Sequence, residues 1–583
     1  MLKQVQHDTL GGNMKNTTCR NRGGKKLFVI AALLFLSVSI FSQSTELPFT
    51  KGIDMLTFFE SWQEGVLPNL NKYDETDFAM LKSMGVEIIR LPIHFANLME
   101  PAYTGNVYDI VFEKLDQVCD WAEKYQIYLV IDDHSFNSEA EDNNPPTAKL
   151  IKEHLESVWS QIAQRYKDRS EYIIYEILNE PKSKGDIPAK WNKIQQDIIE
   201  LIRKYDTKHA IVVTSANFSS IDTLVKMKPY KDPNLIYTFH FYEPMLFSHQ
   251  GATWVGKGMS HTSGVPFPYD KKRMPKLPKE ALEDSWIQDM MNSYSQIGTV
   301  KYINNRIKKA GDWAKKNKVR VWCGEIGAKY WINPKDRFAW IRTTVSVLNN
   351  NGIPYCTWGI DSTDGFLKYG SGESFPEDID KDALEAYGFS TPDESLMAEA
   401  KASYNYFPQK PYVVYDGLAG KGTQIKWRNG TKSVKDYDAH QYCEKTENLK
   451  DALFRLYLPK PIISKVVDNR NNLVLSFAVK FTDAKQDFKL HLMDTDGGEE
   501  LPPWRNTAYI KASDYKVGEW ETVEIPLSQL QEEGAWSDKA NKWFNPQGKF
   551  DWNRFDCVYF DFYHEKNDQK GDIYFDDVVF KLK

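Results

Sequence analysis

A chain of 583 residues with 42% hydrophobic and 14% aromatic side chains holds enough apolar material for a large core, and its length calls for at least two domains. Its 74 basic and 80 acidic residues leave a formal charge of −6 with no long basic block, which argues against a nucleic-acid partner. Six scattered cysteines without CxxC or HExxH spacing exclude a disulfide scaffold and supply no metal-ligand set.

In chain order, Lys25 and Lys26 precede an apolar run from Leu27 to Phe41, which is followed by Ser42, Gln43 and Ser44. This is the layout of an export signal, and the run is short of the ~20 apolar residues of a membrane span, an uncleaved anchor being the alternative. Cys19 lies ahead of the run and is not placed to carry a lipid; the stretch before Met14 reads as unstructured, and Met14 is an alternative start. Residues 1–44 are therefore expected to be an extension and signal, and the protein to be secreted or held at the cell surface.

Residues 45–408 repeat one unit, a short run rich in Ile, Val and Tyr followed by a helix-period segment, as in parallel strands with crossover helices. Eight strands are expected, at Gly52–Met55, Val86–Leu91, Ile127–Ile131, Tyr172–Leu178, Ala210–Thr214, Leu235–Phe239, Val319–Cys323 and Pro354–Trp358. Eight is the number that closes a (β/α)8 barrel. Phe112, Leu115, Val118, Cys119 and Ala122 recur at helical spacing, as do Trp191, Ile194, Ile198, Leu201 and Ile202. The unit after Thr214 is compressed, and the helix after the eighth strand is displaced to about Pro392–Tyr404. An insertion from Phe241 to Ile297, with four prolines between Pro266 and Pro278, follows the sixth strand, where long loops of a barrel build a cleft.

From residue 409 to 583 the texture changes to period-two runs without intervening helices: Leu473–Phe481, Phe488–Met493, Thr522–Leu527, Val558–Tyr563 and Ile573–Leu582. They read as an all-β sandwich. The last run changes parity, which a bulge near Asp576 and Asp577 would reconcile; a calcium held by those two is the alternative. Cys443 and Cys557 are a conceivable disulfide, ordinary buried thiols the simpler expectation.

Two strand ends carry chemistry. The run Tyr172-Ile-Ile-Tyr-Glu-Ile-Leu-Asn-Glu-Pro181 puts Glu180 at the mouth of the barrel, where loops can exclude water and raise its pKa toward that of a general acid. Glu176, four residues back, is expected lower in the barrel as a charge paired with Arg90. In Val319-Arg-Val-Trp-Cys-Gly-Glu325-Ile-Gly327 the parity of Val321, Cys323 and Glu325 is expected to point all three inward, with Glu325 at the rim. Strands four and seven face each other, so Glu180 and Glu325 can flank one glycosidic bond.

Asn179-Glu180-Pro181 and Gly324-Glu325-Ile326-Gly327, in this order and on these strands, resemble glycoside hydrolase family 5. Arg90 in Ile88-Ile-Arg-Leu-Pro92 resembles the family's strand-two arginine, and His134 after Ile131-Asp-Asp its strand-three histidine. His240 and Tyr242 in His240-Phe-Tyr-Glu-Pro244 resemble the strand-six pair, and Trp358 the strand-eight tryptophan. Ser135 departs from the second histidine of some subfamilies.

The resemblance implies a retaining endo-β-1,4-glucanase with Glu180 as acid/base and Glu325 as nucleophile, without cofactor or catalytic metal. It assigns substrate binding to Arg90, His134, Asn179, His240, Tyr242 and Trp358. The substrate is expected to be cellulose or a related β-glucan and the protein a monomer. A β-mannanase, a xyloglucanase, an exo-acting glycosidase and a non-catalytic polysaccharide-binding protein remain alternatives. His94, His209, His249 and His261 read as scaffold or surface, although His249, Gln250, Gly251 and Trp254 look like part of a cleft loop. The sandwich resembles the jelly-roll carbohydrate-binding modules attached to such barrels, with Trp504, Trp536, Trp543 and Tyr509 in loop-like stretches as candidate sugar platforms.

Overall fold

The computed structural model describes residues 45–583 apart from 137–143, 183, 369–373, 439, 495–502, 538–539 and 564–568. The export signal and Cys19 lie outside the described residues.

Eight parallel strands close into a barrel: β1 (Lys51–Asp54), β2 (Ile88–Ile93), β3 (Tyr128–Asp133), β4 (Ile173–Glu176), β5 (Ala210–Val213), β6 (Leu235–Phe241), β7 (Arg320–Ile326) and β8 (Tyr355–Thr357), with β8 pairing back onto β1. All eight fall where the apolar runs place them. The helices Asp109–Tyr125 and Ile187–Tyr205 bury the stripes read from their periodicity, including Leu115, Val118 and Ala122 in the first and Trp191, Ile198 and Ile202 in the second. The compressed unit after β5 is two four-residue helices, Ala216–Ser219 and Ile221–Leu224. The displaced helix is Glu394–Ala402.

The barrel interior is layered. Ile88, Val130, Ile174, Val212, Ile236, Trp322 and Cys356, one from each of seven strands, pack together, and Phe49 joins them ahead of β1. Trp322 therefore points inward, whereas Val321 and Cys323 pack in the outer core between barrel and helices, against the parity expected for β7. The register shifts at Gly324: Phe239 pairs with Cys323 but His240 with Glu325, and across β8 Tyr355 pairs with Cys323 but Thr357 with Ile326. This bulge restores Glu325 to the interior.

Beyond residue 411 the chain forms two antiparallel sheets. The first runs in the order β10 (Leu418–Ala419), β9 (Tyr412–Asp416), β23 (Ile573–Leu582), β13 (His440–Thr446), β12 (Thr431–Tyr437), with β15 (Leu473–Phe481) pairing β23 and β18 (Trp520–Pro526). The second runs β11 (Gln424–Asn429), β14 (Leu453–Tyr457), β22 (Phe555–Asp561), β16 (Asp487–Asp494), β17 (Trp504–Lys511), β19 (Gln531–Glu533). Phe454, Phe477, Phe488, Phe560 and Phe575 fill the space between them.

The expected bulge is present: β23 slips against β15 between Ser476 and Ala478, with Asp577 at φ +50°. Asp576 is spent on protein partners, accepting from the Gly417 amide at 2.8 Å and sharing a 2.7 Å hydrogen bond with His440. The stretch is not free of helices, since Lys460–Asn469 is one, anchored by Ile462 and Val466 in the sandwich core. The five described cysteines are all buried thiols, Cys443 and Cys557 among them. Among the described residues no helix is long and apolar enough to cross a membrane.

Candidate active site

The polar layer stands one step above the apolar plug. Counting two residues from Ile88, Val130, Ile174 and Ile236 gives Arg90, Asp132, Glu176 and Thr238, while Asp54 on β1 lies beside Arg90 in the register. Arg90 is fully buried and every arm of its guanidinium is used. Nε and Nη2 donate to Glu176 at 2.7 and 2.9 Å, Nη2 also to Asn179 Oδ1 at 2.7 Å, and Nη1 to Asp54 at 3.1 Å and Glu325 at 2.9 Å. Asp132 Oδ2 lies 3.0 Å from Nη2. Glu176 is thus the paired charge the sequence suggested. It shares its arginine with Glu325.

One arginine among four buried carboxylates cannot hold them all ionised. Burial pushes Asp132 and Glu176 up to about 7 against the pull of Arg90, and raises Asp54 as well. The same four acids hold the guanidinium protonated, above its ordinary value.

Glu180 and Glu325 meet at His240. Oxygens of the two carboxylates and a ring nitrogen of His240 all lie within 4.8 Å of one another. His240 Nδ1 shares a 2.6 Å hydrogen bond with Glu180 Oε1 and lies 3.3 Å from Glu325 Oε2. Burial lowers the imidazole to about 4, so it is neutral at ordinary pH. Gly324 makes room for that ring: a Cβ there would lie 2.8 Å from Thr238 Oγ1 and 3.1 Å from His240 Nε2.

The two glutamates differ in their donors. Glu325 is 4% exposed and receives Arg90 Nη1 and, at 2.8 Å, the hydroxyl of Tyr242. Burial raises it to about 7, a rise that Arg90 and Tyr242 oppose and the neighbouring Glu180 reinforces. Tyr242 itself is held well above the ordinary phenol value by burial, so it remains a donor. Glu180, with a side chain 20% exposed, faces the opening and has a neutral imidazole as neighbour. Arg90 and Tyr242 thus favour the charged form of Glu325.

The remaining sequence candidates line this centre. Asn179 gives its oxygen to Arg90, which leaves its NH2 as the group available to a ligand. Trp358 follows β8, and its ring stacks on His134 with centroids 5.5 Å apart. His134 is fully buried, tied to Asp132 by a 2.6 Å hydrogen bond, so it backs the Trp358 ring. His249, read as scaffold, packs edge-on against Tyr242 at 5.1 Å.

Sequence reasoning did not single out Asp54, Trp62 and Trp331, quoted Asp132 without a role, and left His94 as scaffold. Parity with Arg90 and Glu176 was the available signal for the two aspartates. His94 stacks on His134 at 5.7 Å, and Trp62, 63% exposed, stands edge-on to His94 at 4.4 Å. On the β6 and β7 loops Trp254 and Trp331, both exposed, meet edge to face at 6.2 Å. No short-range pattern marks these rings, because distant loops bring them to the rim. In the sandwich, Trp504 is 2% exposed at the start of β17 and does not form a platform, contrary to expectation. Tyr509 is exposed but on β17, and Trp536 and Trp543 are exposed and directly paired across the hairpin of β20 (Ala535–Ser537) and β21 (Lys542–Phe544).

Residues 55–364 match the family model for cellulase, glycosyl hydrolase family 5, and residues 465–582 that for carbohydrate binding domain 30. The chain is 29% identical over 320 residues to Endoglucanase 3 of Fibrobacter succinogenes, covering 52% of this chain and 48% of that protein. It is 24% identical over 298 residues to Endoglucanase C of Acetivibrio thermocellus, covering 50% of this chain and 84% of that one. The chain thus spans about half the length of the first of these relatives. Among solved structures, Thermotoga maritima Cel5A in complex with cellobiose is 26% identical with a TM-score of 0.47, covering 58% of this chain and 97% of that chain.

Proposed function

Because the chain belongs to the cellulase family, glycosyl hydrolase family 5, we propose that it is a retaining endo-β-1,4-glucanase acting on cellulose or a related β-glucan. The observation that carries this reading is the approach of Glu180 and Glu325 to within 4.8 Å at His240. Retaining enzymes need their two carboxyl groups about 5 Å apart, whereas inverting ones leave room for a water between them.

In the first step a Glu325 oxygen attacks the anomeric carbon while Glu180 gives its proton to the glycosidic oxygen. The C–O bond breaks, the leaving sugar departs as an alcohol, and a glycosyl ester to Glu325 remains. Glu180, now a carboxylate, takes a proton from water as that water's oxygen attacks the same carbon and frees Glu325. Two inversions give net retention. Arg90 and Tyr242 favour the ionised form of Glu325 at the start and stabilise it again as it leaves, and the Asn179 amide is placed to donate to the sugar hydroxyl beside the reacting carbon. Trp358, Trp254 and Trp331 offer apolar faces to sugar rings.

We assign residues 45–408 to catalysis, 409–583 to polysaccharide binding and 1–44 to export, with the protein acting outside the cell as a monomer. The match to carbohydrate binding domain 30 and the exposed Trp536–Trp543 pair support the second of these. The test is product analysis on carboxymethyl cellulose, β-glucan, xyloglucan and mannan. Release of cello-oligomers of mixed length is expected. Mannan-only release would replace the glucanase reading, monomer or dimer alone would make the enzyme exo-acting, and no release from any polymer would remove the enzymatic one.

A further inference from the structure

A cavity of about 530 Å³ lies on the catalytic face of the barrel beside the loop that follows β1, in the size range of small-ligand sites (~300–1000 Å³). One wall is barrel, with Glu60, Trp62, Gln63 and Asn69; the other is the sandwich strand β11, with Gln424 and Lys426. A row of rings in contact joins its Trp62 to the catalytic centre: Trp358 on His134, His134 on His94, His94 against Trp62. Resting on the glucanase reading above, we propose that a glucan chain bound across Glu180 and Glu325 continues over Trp62 into this cavity, and that Gln424 and Lys426 of the sandwich bind its hydroxyls there. The substrate cleft would then be built by both halves of the chain.

Three observations carry this. The sandwich wall is fixed to the barrel by hydrogen bonds at the cavity's edge: the Ile425 amide donates to Asn69 Oδ1 at 2.8 Å, the Leu67 amide to Ser433 Oγ at 3.2 Å, and Arg428 Nη1 to the Leu67 carbonyl at 3.3 Å. A wall held in this way is pre-formed for a ligand, which spares the ordering cost of binding. Trp62 keeps an indole 63% exposed, apolar surface that a sugar ring can cover. The polar lining combines Gln424 and Lys426 of β11, the latter's ammonium 5.0 Å from the Tyr457 ring centroid, with the amides Gln63 and Asn69, Glu60, which burial raises to about 7, and Asp361, which is paired with Lys72. Amides, a carboxyl and an ammonium around one indole suit the hydroxyl rim and apolar face of a pyranose. Gln424 and Lys426 lie between the two matched segments, 55–364 and 465–582, so neither family model assigns them.

The test is the length dependence of turnover. The wild-type chain, a Gln424→Ala/Lys426→Ala variant and a Trp62→Ala variant would be assayed on β-1,4-gluco-oligosaccharides from cellotriose to cellohexaose, with manno- and xylo-oligosaccharides alongside. Lys426 is exposed and the backbone pairing of β11 with β14 needs neither side chain, so unchanged melting is the check that both variants fold. The expected result is a loss in kcat/KM that grows with chain length, about fivefold to tenfold on cellohexaose for the double variant, carried by KM. A loss equal at every length, or none, in a series that the wild type hydrolyses overturns the proposal. Hydrolysis confined to manno- or xylo-oligosaccharides overturns the glucan reading alone, because length dependence is then read in that series. Should no series be hydrolysed, calorimetry of cellohexaose with Glu325→Gln decides: undiminished binding in the triple variant overturns the shared cleft, and no binding at all overturns both readings.

Discussion

Glu180, just beyond the end of β4, and Glu325, on β7, meet at His240 with carboxylate oxygens within 4.8 Å, and Glu325 is reached by both a guanidinium and a phenol. In the proposed mechanism those two donors suit Glu325 to act as the nucleophile and leave the proton transfers to Glu180.

It follows that the two positions fail differently. Glu325→Ala should leave no measurable turnover, whereas Glu180→Ala should lower kcat by about 10²–10⁴, the usual worth of a general acid. Azide should partly rescue the second variant and give a β-configured glycosyl azide, since azide needs no general base. An α-configured product by NMR would contradict net retention.

The hydroxyl of Tyr242 stabilises the charged form of Glu325, so its removal should raise that carboxyl further above its place near 7. Glu325 works as the anion, present above its pKa, so the acid limb of kcat/KM should move to higher pH in Tyr242→Phe. A hydrogen bond to a charged group is worth roughly 1.5–3 kcal/mol, which corresponds to a shift of about 1–2 pH units. An unmoved limb in a pH–rate series would detach Tyr242 from the nucleophile.

Gly324→Ala should harm catalysis more than folding. The added methyl would meet Thr238 Oγ1 at 2.8 Å and His240 Nε2 at 3.1 Å, so the imidazole must tilt away from the glutamates. We expect kcat to fall about 10–100-fold, in keeping with the cost of a small misplacement of catalytic groups, with circular dichroism unchanged. Full activity would mean that the ring accommodates the methyl without moving.

The buried acids around Arg90 give stability a definite pH slope. Asp132 and Glu176 rise from ordinary values of 3.8 and 4.5 to about 7, so the folded protein binds more protons than the unfolded chain between those limits. Their contribution is full below about pH 4 and is lost as pH rises through about 7. Chemical denaturation should therefore show stability falling across that window, and Glu176→Gln should flatten the fall. Truncating Arg90 to Met should cost roughly 3–5 kcal/mol, the price of stranding buried carboxylates. A slope of opposite sign in the wild type would show that these groups are ionised in the native state.

Legibility in the sequence followed the range of the interactions. Strand positions were legible because burial on both faces makes an apolar run that needs no partner to be recognised, as in Ile173-Ile-Tyr and Ile211-Val-Val. Glu180 and Glu325 were legible because they end such runs. The direction of β7 was not, because parity holds only while the ladder is regular: Trp322 points inward, and the slip at Gly324 returns Glu325 to the same side. Trp504 misled for a related reason: exposure belongs to the face of a folded sheet, and a tryptophan carries no mark of which face it will take.

By itself, then, the sequence determined the eight-stranded barrel with its two acidic tips, the sandwich after it and the bulge near Asp577, all of which follow from local periodicity and short motifs. Only the tertiary structure decided that a guanidinium and a phenol both reach Glu325, how Asp54 and Asp132 crowd Arg90, and that β11 closes a cavity beside Trp62. Those outcomes depend on the charges and walls that distant segments bring within a few ångströms, and on how far burial there removes the groups from water.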